Sequence, residues 1–568
     1  MCLASREGCR GSGESRQWRD VEVRLAVVFS VSGGGVVDVG VRLAWTVTIP
    51  KSKMEWYKVY SSVGTGLEKS LALENMRKIL SFSYFDLPYH LRTCLLYLSM
   101  FPEDYKINKY RLIWMWMAEG FIKSREQGEG YFNELINRCM IQPIHNSYSG
   151  SVEHCCVHDM VLDLIRSLSS EENFVTILSD VDDTSPSIMA RRFSLQNAKE
   201  GHDVTEATTS LQQKRSVAVF PSGIDLMPGI GRFRVLRVLD LQYCSLAQGH
   251  SLRYLGNLLH LRYLGLRCTG ISQLPEEIGK LQSLQTLNLM QNQISGLPST
   301  IVQLRNLMCL LTDKWTRMPK GIGNLACLEE VSKLSIDKST MDNVGEIGQL
   351  TKLRVLHIAL SKWNDMLANC LHNLKMIKHL CIEVSGQRSI GGLDDWRFSP
   401  QHIHALDTRR SCWFSRLPDW MNPSRVVKLS IVSIAMTELH EKDLEVLARL
   451  PALRTHELEV DHENLEDHQN FVFGAGCFPC LVRGKFLGFA WPVVFRRGTM
   501  PKLQDLIFSH SYASLVPNSR LSLGKLPSLK RIDIDFVSDC DRKEAVKQAK
   551  AARQLAAKKH PNLPALRI

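Results

Sequence analysis

A leucine template recurring every 21–25 residues, four helix-patterned segments ahead of it, and a short turn-bounded stretch between two of those segments predict the fold class. That class is α+β and multidomain: a helical winged-helix domain followed by an α/β leucine-rich-repeat solenoid. At 568 residues the chain is too long for one compact core, which agrees with such a division.

Composition sets the broad class. Hydrophobic residues make up 44% and charged residues 23%, ordinary values for a soluble globular protein. The net charge of +12 raises nucleic acid or an anionic membrane as partners. Its distribution argues against both, because residues 541–568 carry eight Lys/Arg against Asp541 and Glu544, half of the total excess. Sixteen cysteines lack a repeating framework, and Cys94, Cys309 and Cys327 sit in or beside apolar positions. Thiols used as small apolar groups fit a reducing intracellular compartment, so the expectation is a cytoplasmic protein, with the nucleus or the plasma-membrane periphery as further locations. No apolar run reaches the roughly 18 residues of a membrane span. The polar opening, and Arg24 within the apolar stretch after it, do not match a secretory signal.

The elements follow in order. Residues 1–53 are rich in valine and glycine and read as an unassigned, poorly ordered leader in which short strands are possible. Residues 54–178 read as helical. Leu71, Met76, Ile79, Leu80 and Phe82 recur at helical spacing before Pro88. LRTCLLYLSMF (91–101) predicts a buried helix ending at Pro102, and Lys109–Phe121 a second closed by Gly120. Further helices are predicted over Glu129–Met140 and Val157–Ser169, with a small hairpin within Ile141–Val157. Short helices joined by tight turns and a hairpin describe a winged helix.

A polar linker and a first irregular repeat occupy 179–215. The repeat domain follows over 216–540 and a basic helical cap over 541–568. The template L-x-x-L-x-x-L-x-L stands at Phe233/Leu236/Leu239/Leu241, Leu258/Leu261/Leu264/Leu266, Leu281/Leu284/Leu287/Leu289 and Leu350/Leu353/Leu356/Ile358, and returns from Leu450, Met500 and Leu526. Degenerate copies start at Leu304, Leu325 and Leu371. One repeat cannot bury its own leucines, so stacked neighbours share a continuous core. Recognition then falls to the variable positions flanking the strand leucines. Arg262, Tyr263, Arg267, Gln285, Asn288, Arg354 and His357 are the candidate ligand surface, on the concave side.

Two motifs carry a resemblance. LPYHLRTCLLYLSMFPEDYKINKYRLIWMWMAEGFI (87–122) is followed by CVHDMVLDLI (156–165) and then by the repeats. In that order they resemble the plant NB-ARC leucine-rich-repeat disease-resistance proteins of the coiled-coil cereal type, from about Met54 to the C-terminus. CLLYLSMFPEDY (94–105) matches a conserved block of the winged-helix subdomain, and Val157-His158-Asp159 the Met-His-Asp motif, with valine replacing methionine.

The resemblance implies a regulated switch rather than an enzyme. ADP would hold the receptor closed, with His158 against its β-phosphate and Asp159 bracing the winged helix on the nucleotide-binding domain. ATP exchange would permit oligomerisation, and the repeats would sense a pathogen effector or a guarded host protein. The chemistry is independently plausible: an imidazole donates to a phosphate oxygen and a carboxylate beside it fixes its orientation.

The sequence also departs from the family pattern. The nearest approach to a phosphate loop, Gly64 to Ser70, places Glu68 where a glycine precedes the lysine and Val63 at the first glycine, so a carboxylate would face the phosphate. The expectation is therefore a chain truncated before the winged-helix part of NB-ARC, with ADP/ATP binding by this chain in doubt. Its alternatives are a non-switching repeat adaptor or decoy, a partial gene product, or a functional nucleotide hydrolase.

No nucleic-acid partner is expected, because the candidate groove-reading helix KYRLIWMWMAEGFI is mostly apolar. No metal is expected at His154, Cys155, Cys156 and His158, whose spacing is too tight, or at the lone Cys477-Phe-Pro-Cys480.

Overall fold

The computed structural model describes residues 78–146, 151–178, 190–196, 211–246, 252–363, 365–384, 393, 402–408, 412–461, 471–488, 493–510, 523–536 and 560–567, with the backbone of strands at 23–29, 41–47 and 389–390. The predicted linker over 179–189 and the basic cap over 541–559 lie outside the described residues. The chain forms two units. One comprises Met1–Asn146, Ser151–Pro228 and Val235–Leu239, and the other holds most of the repeats from Asp240 onward.

In the first unit, β1 (Val23–Phe29) and β2 (Val41–Val47) pair antiparallel, Val23 opposite Val47. β-Branched valine favours that extended pairing. A helical stretch through 78–85 precedes the Leu87-Pro88 break. Helix α1 (Tyr89–Leu96) then tightens into a 3₁₀ turn over Tyr97–Met100. The sequence predicts one helix to Phe101. Pro102 excludes that, since it drives the preceding residue into the extended region, where Phe101 sits at φ −95° and ψ 146°.

β3 (Ile107–Asn108) leads into α2 (Lys109–Glu119), which Asn108 caps by accepting from the amides of Tyr110 and Arg111. Gly120 ends it in the left-handed region at φ 90°, as the sequence predicts. Helix α3 (Arg125–Asn137) starts four residues earlier than its predicted start at Glu129. The cause is local. Ser124 accepts from the amide of Gln127, and the Gln127 side chain accepts from Lys123 N. Gly128, a poor helix former, is needed there because a Cβ would lie 2.6 Å from Ile122 and 2.7 Å from Ile113.

The predicted hairpin is β4 (Gln142–His145) against β5 (Val152–Cys156), and β3 adds a third strand on the other side of β5. Helix α4 (Asp159–Glu171) follows directly.

Parallel strands begin within this unit: β6 (Val175–Leu178), β7 (Arg192–Leu195) and β8 (Ser216–Val219). Polar side chains tie them to the winged helix. Ser194 and Gln196 donate to Met100 O at 2.7 and 3.2 Å. Glu119, at the end of α2, holds the Arg192 guanidinium through two bonds of 2.7 and 3.1 Å and also accepts from Ser216. Arg192 lies 4.0 Å over the Phe174 ring and 5.1 Å from that of Phe121. A buried ion pair of this kind is tolerated only because further hydrogen bonds and a flat aromatic face satisfy it.

After β9 (Val238–Asp240), the strands β10 (Tyr263–Gly265), β11 (Thr286–Asn288), β12 (Cys309–Leu311), β13 (Glu330–Ile336) and β14 (Val355–Leu360) of the second unit pair in parallel succession. Tyr263 faces Thr286, Thr286 faces Cys309, Cys309 faces Glu330, and Glu330 faces Val355. These offsets reproduce the 23, 23, 21 and 25-residue leucine intervals of the sequence. The series continues through β15 (His379–Val384), β17 (Ala405–Asp407), β19 (Ile431–Met436), β20 (Thr455–Val460), β22 (Arg483–Leu487), β24 (Asp505–His510), β25 (Arg531–Phe536) and β26 (Ala565–Arg567), while β16 (Ser389–Ile390) pairs with β18 (Cys412–Phe414) and β21 (Phe471–Phe473) with β23 (Val493–Phe495). The template leucines from Leu258 to Leu289 are all buried.

Between strands the chain returns through 3₁₀ turns such as Glu276–Lys280 and Ser299–Gln303, and through helices α5 (Asp365–Asn373) and α6 (Glu441–Ala448). Asn292 shows how a buried turn is satisfied. Its amide donates to Leu266 O and Leu289 O and accepts from the amides of Thr269 and Gly270.

Candidate functional site

The candidate residues fall on two regions, one in each unit. The first is the start of α4. β5 is held on both sides by β3 and β4, with Cys155 opposite Ile107 and Pro143, so the chain leaves the small sheet in a fixed direction. Val157 is then buried, His158 half-buried and Asp159 exposed.

His158 is the N-cap of α4. Its Nδ1 accepts from Met160 N at 3.3 Å, and its carbonyl accepts from the amides of Val161 and Leu162 at 2.8 and 2.9 Å. An Nδ1 that accepts carries no proton, so the neutral ring keeps its proton on Nε2. The capped ring therefore has its donor on the nitrogen away from the helix. Asp159 occupies the first turn, where a carboxylate meets the positive end of the helix dipole.

Cys155 is buried, and burial pushes its thiol well above the usual range; Cys156 turns to Gln142 at 3.7 Å. Helix α2 is covered from Arg111 to Glu119.

The second surface is the strand face opposite the leucines in the second unit. Arg262, Gln285 and Arg354 each stand immediately before a strand and are half-buried. Arg354 pairs with Glu329 at 3.4 Å. Arg267 donates to Gln291 at 2.9 Å and lies 5.6 Å from the Tyr243 ring. Tyr263 and Asn288 alternate outward with Arg267 but are covered, at 1% and 7% exposure. Tyr263 accepts from Gln242 at 2.7 Å, and Asn288 accepts from Met290 N. In these short strands the outward side chains bond locally and shield one another. From β13 on, most outward residues are half-buried, although Ala359, Ser433 and Ala435 stay covered; His357 is half-buried and meets Glu383 at 3.3 Å.

Further along, the same face holds charges that leucine periodicity does not reveal. Lys485 reaches Glu457 at 2.7 Å across β20 and β22. Asp505 lies between Arg483 and Arg531, directly opposite both. Arg531 grips it through bonds of 2.7 and 3.0 Å. Burial raises the Asp505 carboxyl, but the bonds from Arg531 and Arg483 outweigh it and hold the group below the usual carboxylate range. The available signal was charge at alternate strand positions, readable only once the register is known.

Comparisons with known proteins agree with the order of a winged helix followed by leucine-rich repeats. A leucine-rich repeat region model matches residues 213–566, and a disease resistance protein winged helix domain model matches 100–165. The chain is 30% identical over 452 residues to the rice (Oryza sativa subsp. japonica) disease resistance protein Pik-2, covering 71% of this chain and 44% of the relative. It is 29% identical over 540 residues to rice disease resistance protein RGA5, covering 90% and 48%. To the Arabidopsis thaliana probable disease resistance RPP8-like protein 2 it is 27% identical over 520 residues, covering 85% and 52%. The chain thus spans about half the length of the curated relatives it matches. With a disease-resistance winged helix leading into repeats that fill most of the remaining sequence, the chain belongs to the plant leucine-rich-repeat disease-resistance (NLR) family.

Proposed function

We propose that the chain acts as an innate-immunity receptor component that binds a protein, a pathogen effector or a guarded host protein, through the open strand face of its repeats. The observation that carries this reading is the half-buried polar row from β13 onward, in a chain whose relatives are disease-resistance proteins. Such a face offers charge and hydrogen bonds for specificity around an otherwise rigid scaffold. The chain has no enzymatic role in this reading. Among the described residues no helix is long and apolar enough to cross a membrane.

The winged helix contributes the switch end. His158 would meet the nucleotide phosphate through Nε2, and Asp159 would brace the winged helix against a nucleotide-binding domain. The fit rests on the cap: with Nδ1 taken by Met160 N, the ring presents a donor, which suits a phosphate oxygen. The nucleotide would supply only the charge that biases the switch.

Recognition is tested by charge reversal. Arg267→Glu and Arg354→Glu should each weaken binding of an interacting effector at least tenfold, about 1.4 kcal/mol. Lys352→Glu, on an exposed residue outside the strand, should leave binding unchanged. Equal loss in all three would remove the strand face from the account.

A non-switching adaptor is the second reading, favoured because these 568 residues contain no G-x-x-x-x-G-K-[ST] motif. Asp159→Val expressed in leaf tissue separates the two. The adaptor reading expects no autonomous cell death, and its appearance would establish a working switch.

A further inference from the structure

On the open face of the repeats, β14 and β15 bring together three side chains of different donor chemistry. His357 lies directly opposite Cys381, and Glu383 follows two residues later on β15, so all three share one side of the sheet. One imidazole nitrogen, one thiol sulfur and one carboxylate oxygen lie within 4.8 Å of one another. No other group of this kind occurs among the described residues.

The geometry approaches a coordination polyhedron. His357 Nε2 and Glu383 Oε1 are 3.3 Å apart. A tetrahedron with bonds of about 2.0–2.1 Å has an edge of about 3.4 Å. The sulfur lies within 4.8 Å of the other two donors, against a tetrahedral nitrogen–sulfur edge of about 3.6 Å. Burial keeps the His357 imidazole toward its neutral, ligand-competent form, partly offset by Glu383. Lys333 bears on the same imidazole and opposes a cation, whereas Asp407, opposite Cys381 on β17, favours one.

We propose that His357, Cys381 and Glu383 form a site for a borderline-soft divalent transition metal, zinc foremost, on the recognition face. The mixed nitrogen, sulfur and oxygen set selects such an ion over magnesium or calcium, which take oxygen ligands. On binding, Cys381 releases its thiol proton to solvent, and thiolate and carboxylate together balance the two positive charges. Three protein ligands leave a fourth position facing the open side of the sheet. Water occupies it in the free protein, and a nitrogen, sulfur or carboxylate donor of a bound protein can replace that water.

Cobalt(II) titration of the full chain, with a phosphine reductant and no added thiol, tests the site. The expected result is a saturable thiolate-to-cobalt charge-transfer band with tetrahedral visible bands, and added imidazole should shift the latter by entering the fourth position. Cys381→Ser should remove the charge-transfer band without changing the metal-free circular dichroism, while Cys327→Ser should leave it intact. His357→Ala and Glu383→Gln should each weaken cobalt binding tenfold or more. Absence of the band in the parent chain, or an undiminished band in Cys381→Ser, overturns the proposal. Should Cys381→Ser not fold, unchanged cobalt affinity in both His357→Ala and Glu383→Gln overturns it equally.

Discussion

The imidazole of His158 has two nitrogens, and the cap of α4 commits one of them. That separates a structural contribution from any contact made by Nε2. His158→Ala should lower the unfolding free energy by about 1 kcal/mol, and His158→Asp should restore it, because a carboxylate caps the same amide and meets the positive helix end. Equal losses in urea titrations of both variants would show that the cap contributes nothing. His456 is the other telling histidine. It stands where the repeat template has a leucine, fully buried between the Phe478 and Phe486 rings, with Nδ1 on Val432 O. Burial lowers its pKa to about 4. An unfolded histidine titrates near ~6.5, so between about pH 6.5 and 4 the unfolded chain takes up a proton that the folded chain refuses. The neutral-histidine contribution is therefore fully present above about pH 6.5 and falls by up to about 1.4 kcal/mol per pH unit below it. His456→Leu should flatten this part of the acid slope, read by urea unfolding at about pH 7 and pH 5. An unchanged slope would mean that the imidazole is already protonated in the fold.

Among the elements, the join between α2 and the first parallel strands rests on the Glu119–Arg192 pair. Removing one partner leaves a buried charge. Glu119→Ala should cost about 3–5 kcal/mol, whereas replacing both residues by apolar ones of similar volume should cost far less. Chemical unfolding of the single and double variants checks this, and simple additivity would mean that the two groups do not interact. Asn292→Ala should cost about 1–3 kcal/mol by leaving backbone groups of neighbouring turns unpaired. The repeat intervals were legible in the sequence because each leucine stripe recurs and every copy states the same rule. The start of α3 was not, since Gly128 and Gly130 depress helix propensity while the Ser124–Gln127 cap and close packing on Ile113 decide the outcome. The third strand of the small sheet, two residues long, leaves too short a pattern to read. Alternation places Tyr263 and Asn288 on the candidate ligand surface, but it is blind to the neighbours that bury both. The Asp505 ladder is formed by partners 22 and 26 residues away, so only the register discloses it.

At the scale of the whole molecule, the proposed reading gives recognition to the repeat face and a supporting contact, His158, to the winged helix. His158 is committed to the cap of α4 through Nδ1, and these 568 residues hold no G-x-x-x-x-G-K-[ST] motif. Both halves of that statement meet in one titration: fluorescent ADP added to the full chain, with and without magnesium, followed by anisotropy. The account predicts no saturable, magnesium-dependent rise. Tight binding that requires magnesium and is lost in His158→Ala would contradict it and make the chain a nucleotide switch in its own right.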